Sequence, residues 1–71
     1  MKLTGIVEYR DLEGGIWQLV ADGGKRYTLL GSKGEVKAAK GERVEVEGSI
    51  EEGFGIGMAG PQLRVDKLRK L

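Results

Sequence analysis

Few side chains in this chain could carry out catalysis. The sequence contains no histidine and no cysteine, and its only serines are Ser32 and Ser49. A nucleophilic serine needs a nearby general base. Ser32 already has a predicted structural role, because it stands at the position of a helix cap. Glu45 and Glu47 share one face of a predicted strand and could form an acid–base pair, but such exposed glutamates are ordinary solubilising residues. Scattered carboxylates hold Mg²⁺ only weakly. We therefore predict no enzyme, no metal site and no cofactor.

Binding of a nucleic-acid strand is the chemistry that the remaining residue types favour. Proteins that bind single strands combine cations that follow the phosphate backbone with aromatic side chains on which bases stack. Arg10, Lys25 and Arg26 supply cations, and Phe54 lies in a glycine-flanked predicted turn where its ring would be exposed. Phe54 could instead close one mouth of a barrel. These residues can bind the same ligand only if the fold places them on one surface.

The elements that position these residues are short strands separated by glycine. In the first, Leu3, Val7 and Tyr9 alternate with polar neighbours, and a period of two places alternate side chains on opposite faces. The same pattern predicts strands over residues 2–12, 16–21, 26–30, 42–51 and 56–68, the last interrupted near Pro61. Asp22 and Gly23 predict a tight hairpin turn between the second and third strands.

The alternation also assigns each side chain to the inside or the outside. Gln18, Arg26 and Thr28 should face outward. The residues that should face the core are Tyr9, Trp17, Leu19, Tyr27 and Leu29. So few short strands must close on themselves, because an open sheet of this size cannot hide its apolar face.

The period changes between the third and fourth predicted strands. Ser32 and Glu35 have the spacing of a capping box, and Gly41 can end a short helix. Three strands, a helix and two strands is the order of the oligonucleotide/oligosaccharide-binding (OB) fold, an all-β, five-stranded Greek-key barrel. An SH3-like barrel is the alternative, and there residues 32–41 would form a short turn. Residues 1–71 make one domain, since so short a chain has no room for a second core.

Several segments of the chain resemble a known group of domains. They are GGIWQL at 14–19, DGGKRYTL at 22–29, GERVEVEG at 41–48 and IGMAGPQLRV at 56–65. These segments are similar to small, largely uncharacterised prokaryotic OB-like domains, some of them carried by lipoproteins. The resemblance implies an OB-like barrel, and nucleic-acid binding is usually inferred for the group from its fold. Relatives often carry a polar or reactive side chain where this chain has Gly57, and their lipid-attachment cysteine is absent here, so neither feature carries over.

The expected ligand surface follows from the fold. OB barrels usually bind ligands on the face of strands two and three, flanked by the loops between strands one and two and between strands four and five. In this chain that surface contains Arg10, Ile16, Gln18, Lys25, Arg26, Thr28 and Phe54. We therefore predict a module that binds single-stranded DNA or RNA weakly, with little sequence preference. The basic tail either adds phosphate contacts or is a solvated strand end; it contains Lys67, Arg69 and Lys70.

Charge favours a second interpretation. The net charge is +1, so the whole chain offers nucleic acid little long-range attraction. Residues 32–41 carry three lysines and one glutamate, whereas residues 42–60 carry five glutamates and one arginine. The acidic fourth strand and the outward Ile16 and Val20 indicate, as an alternative, a protein-interaction or assembly module whose partner is another protein or a second copy.

Composition and hydropathy indicate where in the cell and in what kind of organism the protein is found. No apolar run approaches the roughly 20 residues needed to cross a bilayer, and no secretory signal precedes the first strand, so we expect a cytoplasmic protein without a membrane partner. Asparagine is absent and 32% of the residues are charged, which is typical of thermophile proteins. A designed barrel would share this composition, although 13 glycines argue against one because each costs backbone entropy.

Overall fold

Five strands and a short helix form the described part of the protein. The computed structural model describes residues 1–11, 14–51 and 61–71. Its elements in chain order are β1 (Lys2–Arg10), β2 (Ile16–Ala21), β3 (Arg26–Leu30), α1 (Lys33–Ala38), β4 (Arg43–Glu51) and β5 (Gln62–Lys70). The predicted bounds of β2 and β3 are confirmed, whereas β1 ends two residues early and β4 begins one residue late. The part of the fifth strand predicted before Pro61 lies outside the described residues.

The strands close into a barrel in the order β1-β2-β3-β5-β4. Neighbouring strands are antiparallel except for β3 and β5, which run parallel. A parallel pair needs a crossover connection, and here the chain passes through α1 and β4 between the two strands. The predicted all-β, five-stranded Greek-key barrel with a short helix between its third and fourth strands is therefore confirmed.

The barrel is filled from alternate strand positions. Val7, Leu19 and Tyr27 lie opposite one another across β1, β2 and β3, and this side of the sheet faces inward. Helix α1 packs onto the same core. The buried apolar residues of the described chain are Val7, Leu19, Leu29, Val36, Ala39, Val44, Val46, Leu63 and Val65. The predicted inward positions of Leu19 and Leu29 are thus confirmed.

The β2–β3 hairpin forms the predicted tight turn in its bulged variant. The Gly24 N–H donates to the Ala21 carbonyl at 2.8 Å, and the Ala21 N–H donates to the Lys25 carbonyl at 2.9 Å. Gly24 has φ of 92°, the left-handed conformation that follows a type I turn in a three-residue hairpin loop. The turn is also tied to β4, because Arg43 donates to both carboxylate oxygens of Asp22 at 2.9 Å.

The start of α1 differs from the sequence prediction. Ser32 has φ of 48° and makes no side-chain hydrogen bond to the first turn of the helix, so the predicted capping box with Glu35 is wrong. The Ser32 hydroxyl instead donates to the Val65 carbonyl at 3.4 Å. The helix follows β3 through Gly31, which also has positive φ, and this left-handed link turns the Ser32 side chain toward β5 rather than toward the helix.

Candidate functional site

An aromatic pair stands at one end of the β1–β2 ladder. Tyr9 and Trp17 are register partners, and their ring centroids are 4.9 Å apart with an interplanar angle of 58°. They lie on the same side of the sheet as Val7 and Leu19, two positions nearer the end of the ladder, where the interior opens to solvent. Trp17 is half-buried and packs against the core, whereas Tyr9 is 42% exposed. The prediction that Tyr9 belongs to the core is therefore wrong.

The loop after β1 shapes one side of this pair. Gly15 has φ of 101°, and its Cα lies so close to the Tyr9 ring that an added Cβ would collide with the phenol oxygen. Only glycine combines this conformation with such a close approach. The backbone at Gly15 therefore supports the tyrosine ring at its phenol end.

Three lysines stand around the aromatic pair. Lys33 and Lys37 are one helical turn apart on α1, so they share a face of the helix, and Lys40 follows the helix. The Lys40 ammonium lies 5.8 Å from the centroid of the Tyr9 ring, within the range of a cation–π contact. The segment is anchored to β1, because the Gly41 N–H donates to the Val7 carbonyl at 2.8 Å.

Two adjoining cavities connect the lysines with the aromatic pair. The first, of about 370 Å³, is lined by Tyr9, Gly14, Gly15, Ile16, Trp17, Thr28, Leu29, Leu30 and Lys33. The second, of about 490 Å³, is lined by Tyr9, Trp17, Lys37 and Lys40. Because the cavities share Tyr9 and Trp17, we treat them as one surface, the lysine–aromatic groove. Its size is that of a site for a small molecule or a few nucleotides.

The charges of the groove lysines are not used in ion pairs within the described chain. The ion pairs between described residues join Arg26 to Glu8, Arg43 to Asp22, Arg64 to Glu51, Arg69 to Glu45 and Lys70 to Glu42. In one of them, the hydrogen bond and the charge attraction of Glu51 raise the pKa of the Arg64 guanidinium. The groove is thus a concentration of positive charge beside exposed aromatic surface.

Two residues of the predicted ligand surface are buried. Gln18 is 0% and Thr28 is 3% exposed, so the prediction that these two side chains lie on the exposed outer surface is wrong. They face each other in the β2–β3 register, and Glu8 and Gln62 stand beside them in the same row. Side chains on neighbouring strands are only about 5 Å apart, so Gln18 and Thr28 each lie between two neighbours of that row. Thr28 nevertheless contributes to the wall of the groove.

The other predicted ligand residues are dispersed. Ile16 lines the groove, whereas Arg26 donates to the Glu8 carboxylate at 2.8 Å, which lowers its availability to a phosphate. The Lys25 ammonium lies 5.5 Å from the centroid of the Tyr27 ring. Arg10 is partly buried at the end of β1. Phe54 lies outside the described residues.

The basic tail is part of the barrel wall. Strand β5 extends to Lys70 and pairs with β4 over its whole length. Arg69 contacts Glu45 at 3.2 Å and Lys70 contacts Glu42 at 3.3 Å, so much of the tail charge is compensated by the acidic fourth strand.

Sequence reasoning missed the groove because its parts come from different elements. Tyr9 and Trp17 were assigned to the core by alternation alone, which cannot show where along a strand the core ends. The three lysines were counted only as local charge. A signal was present, since Lys33, Lys37 and Lys40 recur at helical spacing and therefore point to one side.

Comparison with protein families, curated proteins and solved structures finds no match to this chain. Within the described ranges, no helix has the length and apolarity needed to cross a bilayer. No group of three or more potential metal ligands lies together among these residues either.

Proposed function

We propose that this protein is an OB-like module that binds single-stranded DNA or RNA weakly and with little sequence preference, through the lysine–aromatic groove. The observation that carries the proposal is the half-exposed Tyr9–Trp17 pair, surrounded by Lys33, Lys37 and Lys40. Stacking surfaces and cations within one groove are the two components of a single-strand site.

Weak binding and low selectivity follow from the same geometry. Each base stacked on an aromatic side chain contributes about 1–3 kcal/mol, and stacking tolerates any base because every base has a π-face. One aromatic pair holds one or two bases, so the expected affinity is modest. Flexible lysines supply point charges rather than a rigid hydrogen-bonding pattern, which suits phosphate contacts and adds no base discrimination.

The setting proposed for this function is the cytoplasm, and the proposed family is the group of small prokaryotic OB-like domains that the sequence resembles. The closed five-stranded barrel supports that assignment at the level of fold. A binding rather than a catalytic role is supported by the absence of histidine and cysteine from the sequence.

The alternative role, a protein-interaction or assembly module, draws less support from the structure. It relied on an outward apolar patch at Ile16 and Val20, and both residues are partly buried. Among the described residues, the large hydrophobic side chains that are exposed are Met1, Tyr9 and Leu71. Sedimentation across a range of concentrations tests the self-association form of this alternative, and a monomer throughout would contradict that form.

The direct test uses Trp17, the only tryptophan of the chain. Mixed-sequence single-stranded DNA and RNA should quench its fluorescence when a base enters the groove, and a labelled oligonucleotide should gain anisotropy over the same protein concentrations. Both signals should weaken steeply above about 50 mM salt, because phosphate contacts release counterions. No binding to either polymer at micromolar protein would refute the proposal.

Matched variants assign the binding to the groove. Tyr9→Leu removes one stacking surface and should weaken binding by about 1–3 kcal/mol. Lys37→Gln removes a groove cation and should weaken binding, whereas Lys67→Gln makes the same change of net charge on β5, among the charged side chains of the β4–β5 surface. If Lys67→Gln weakens binding as much as Lys37→Gln, the groove is not the site.

A further inference from the structure

The lysine–aromatic groove carries positive charge in both of its cavities. Lys33 lines the first cavity, together with the loop glycines and the ends of β2 and β3. Lys37 and Lys40 line the second cavity. Tyr9 and Trp17 are the residues that both cavities share, so the aromatic pair adjoins one cation in the first cavity and two in the second.

We infer that the groove selects a nucleoside that carries one phosphate at its 5′ position and another at its 3′ position. Such a nucleoside occurs inside a strand rather than at a chain end. This inference rests on the proposed function and specifies the chemistry of the same site. The base stacks on the aromatic pair, one phosphate contacts Lys33, and the other contacts Lys37 and Lys40. A single terminal phosphate can satisfy only one side of this arrangement.

The position of Lys40 supports the assignment. Its ammonium lies over the Tyr9 ring, on a ring surface that an incoming base would cover. A base that stacks there displaces the ammonium, which stays within reach of the groove because the lysine stem is flexible. The displaced charge then faces the phosphate adjoining the stacked base, so an interaction within the free protein is exchanged for one with the ligand.

A base that stacks on the aromatic pair cannot at the same time be stacked within a duplex. The two cavities of the groove are small-molecule sized, and the bases of a duplex are already stacked on one another and paired. A protein that contacts the face of a base requires that base to be unstacked. The same shared chemistry, a base between two phosphates, occurs in a single strand and in a free nucleoside 3′,5′-bisphosphate, and the experiment distinguishes the two sources.

The test compares thymidine ligands that differ in where their phosphates lie, with Trp17 fluorescence as the readout at constant ionic strength. Thymidine 3′,5′-bisphosphate should bind about tenfold more tightly than the 5′-monophosphate or the 3′-monophosphate, since one additional charge-assisted contact forms. Thymidine 5′-diphosphate is the control for the number of phosphates, because it carries both phosphates on one side. It should bind no better than about twofold tighter than the monophosphate. Equal binding of the diphosphate and the bisphosphate would overturn the inference.

Lysine variants show which phosphate each groove lysine contacts. Lys33→Gln should remove the advantage of the bisphosphate over one monophosphate. Lys37→Gln should reduce its advantage over the other monophosphate without removing it, because Lys40 still contacts that phosphate. If both variants weaken the same monophosphate and spare the other, the lysines do not flank the base and the inference fails. Circular dichroism of each variant confirms that the barrel is intact.

The trinucleotide d(TpTpT) has a central nucleoside that lies between two phosphates. It shows whether the groove binds a single strand or a free nucleoside 3′,5′-bisphosphate. Binding of the trinucleotide at least as tight as that of the bisphosphate supports a single strand as the occupant. Binding of the bisphosphate alone retains the inferred chemistry and contradicts the proposed strand-binding function. Oligonucleotide binding without any preference for the bisphosphate leaves the proposed function standing and refutes this inference. Absence of any quenching refutes both.

Discussion

The β2–β3 turn allows backbone conformation to be tested apart from packing, because its two glycines differ in φ and in little else. Gly24 has φ of 92°, whereas Gly23 is not among the described residues with positive φ. An added Cβ would meet no atom within 4 Å at either position. Alanine therefore introduces backbone strain at Gly24 and no comparable strain at Gly23.

The expected magnitudes follow from this difference. Gly24→Ala should lower the free energy of unfolding by about 1–2 kcal/mol, the cost of the left-handed region for an L-residue. Gly23→Ala should leave it unchanged or raise it by up to about 1 kcal/mol, because alanine restricts the unfolded chain. In a domain of this size, about 1 kcal/mol moves Tm by about 4–8 °C. Gly24→Ala should therefore lower Tm by about 4–16 °C.

Thermal unfolding followed by far-ultraviolet circular dichroism measures both variants against the parent protein. Gly24→Asn provides an internal check, since asparagine tolerates positive φ better than alanine and should cost less than Gly24→Ala. Equal Tm values for Gly23→Ala and Gly24→Ala, or a larger loss at Gly23, would show that the left-handed residue of the turn has been misplaced.

Further predictions concern strand contacts, the helix start and the groove. Gly48→Ala should abolish cooperative unfolding, because its Cβ would collide with the Arg64 carbonyl across the β4–β5 ladder, and only movement of the backbone relieves such a collision; a normal thermal transition would contradict this contact. Ser32→Gly should be more stable than Ser32→Ala by about 1 kcal/mol, since both remove the hydroxyl that donates to the Val65 carbonyl and only alanine is strained at the positive φ of this position; equal stabilities in denaturant titrations would contradict the left-handed conformation. For DNA or RNA single strands, the slope of log K against log salt should be about −1.4, from two phosphates at about −0.7 each. Lys33→Gln leaves one of these phosphates without a groove lysine and should reduce the magnitude of the slope by about 0.7. An unchanged slope in that variant would remove Lys33 from the phosphate contacts.

Local sequence determined the strands and the turn of this protein. Alternation with a period of two specifies which side chains share a face, whatever the neighbouring strands are, and it places Leu19 and Leu29 inside. Gly24 takes its left-handed conformation within a loop of three residues, a requirement that the neighbouring backbone imposes by itself. The break in period at residues 32–41 similarly indicates a helix that interrupts the strands.

The position of a residue along the barrel was decided only by tertiary structure. Alternation distinguishes inside from outside but not the middle of a strand from its end. Tyr9 therefore shares the inward face of Val7 and is still exposed, because the core ends between them. Gln18 shows the opposite case, because alternation places its side chain outward and the structure buries it completely.

The candidate site is formed by elements that lie far apart in the sequence. The groove forms because β1 and β2 bring the Tyr9–Trp17 pair to one end of the barrel, and because the contact of Gly41 with Val7 brings the lysines of α1 to the same end. Ser32 shows the same dependence in a single residue. Its capping-box spacing is a local preference, but the connection from β3 turns its hydroxyl toward Val65, and the long-range contact prevails over the local one.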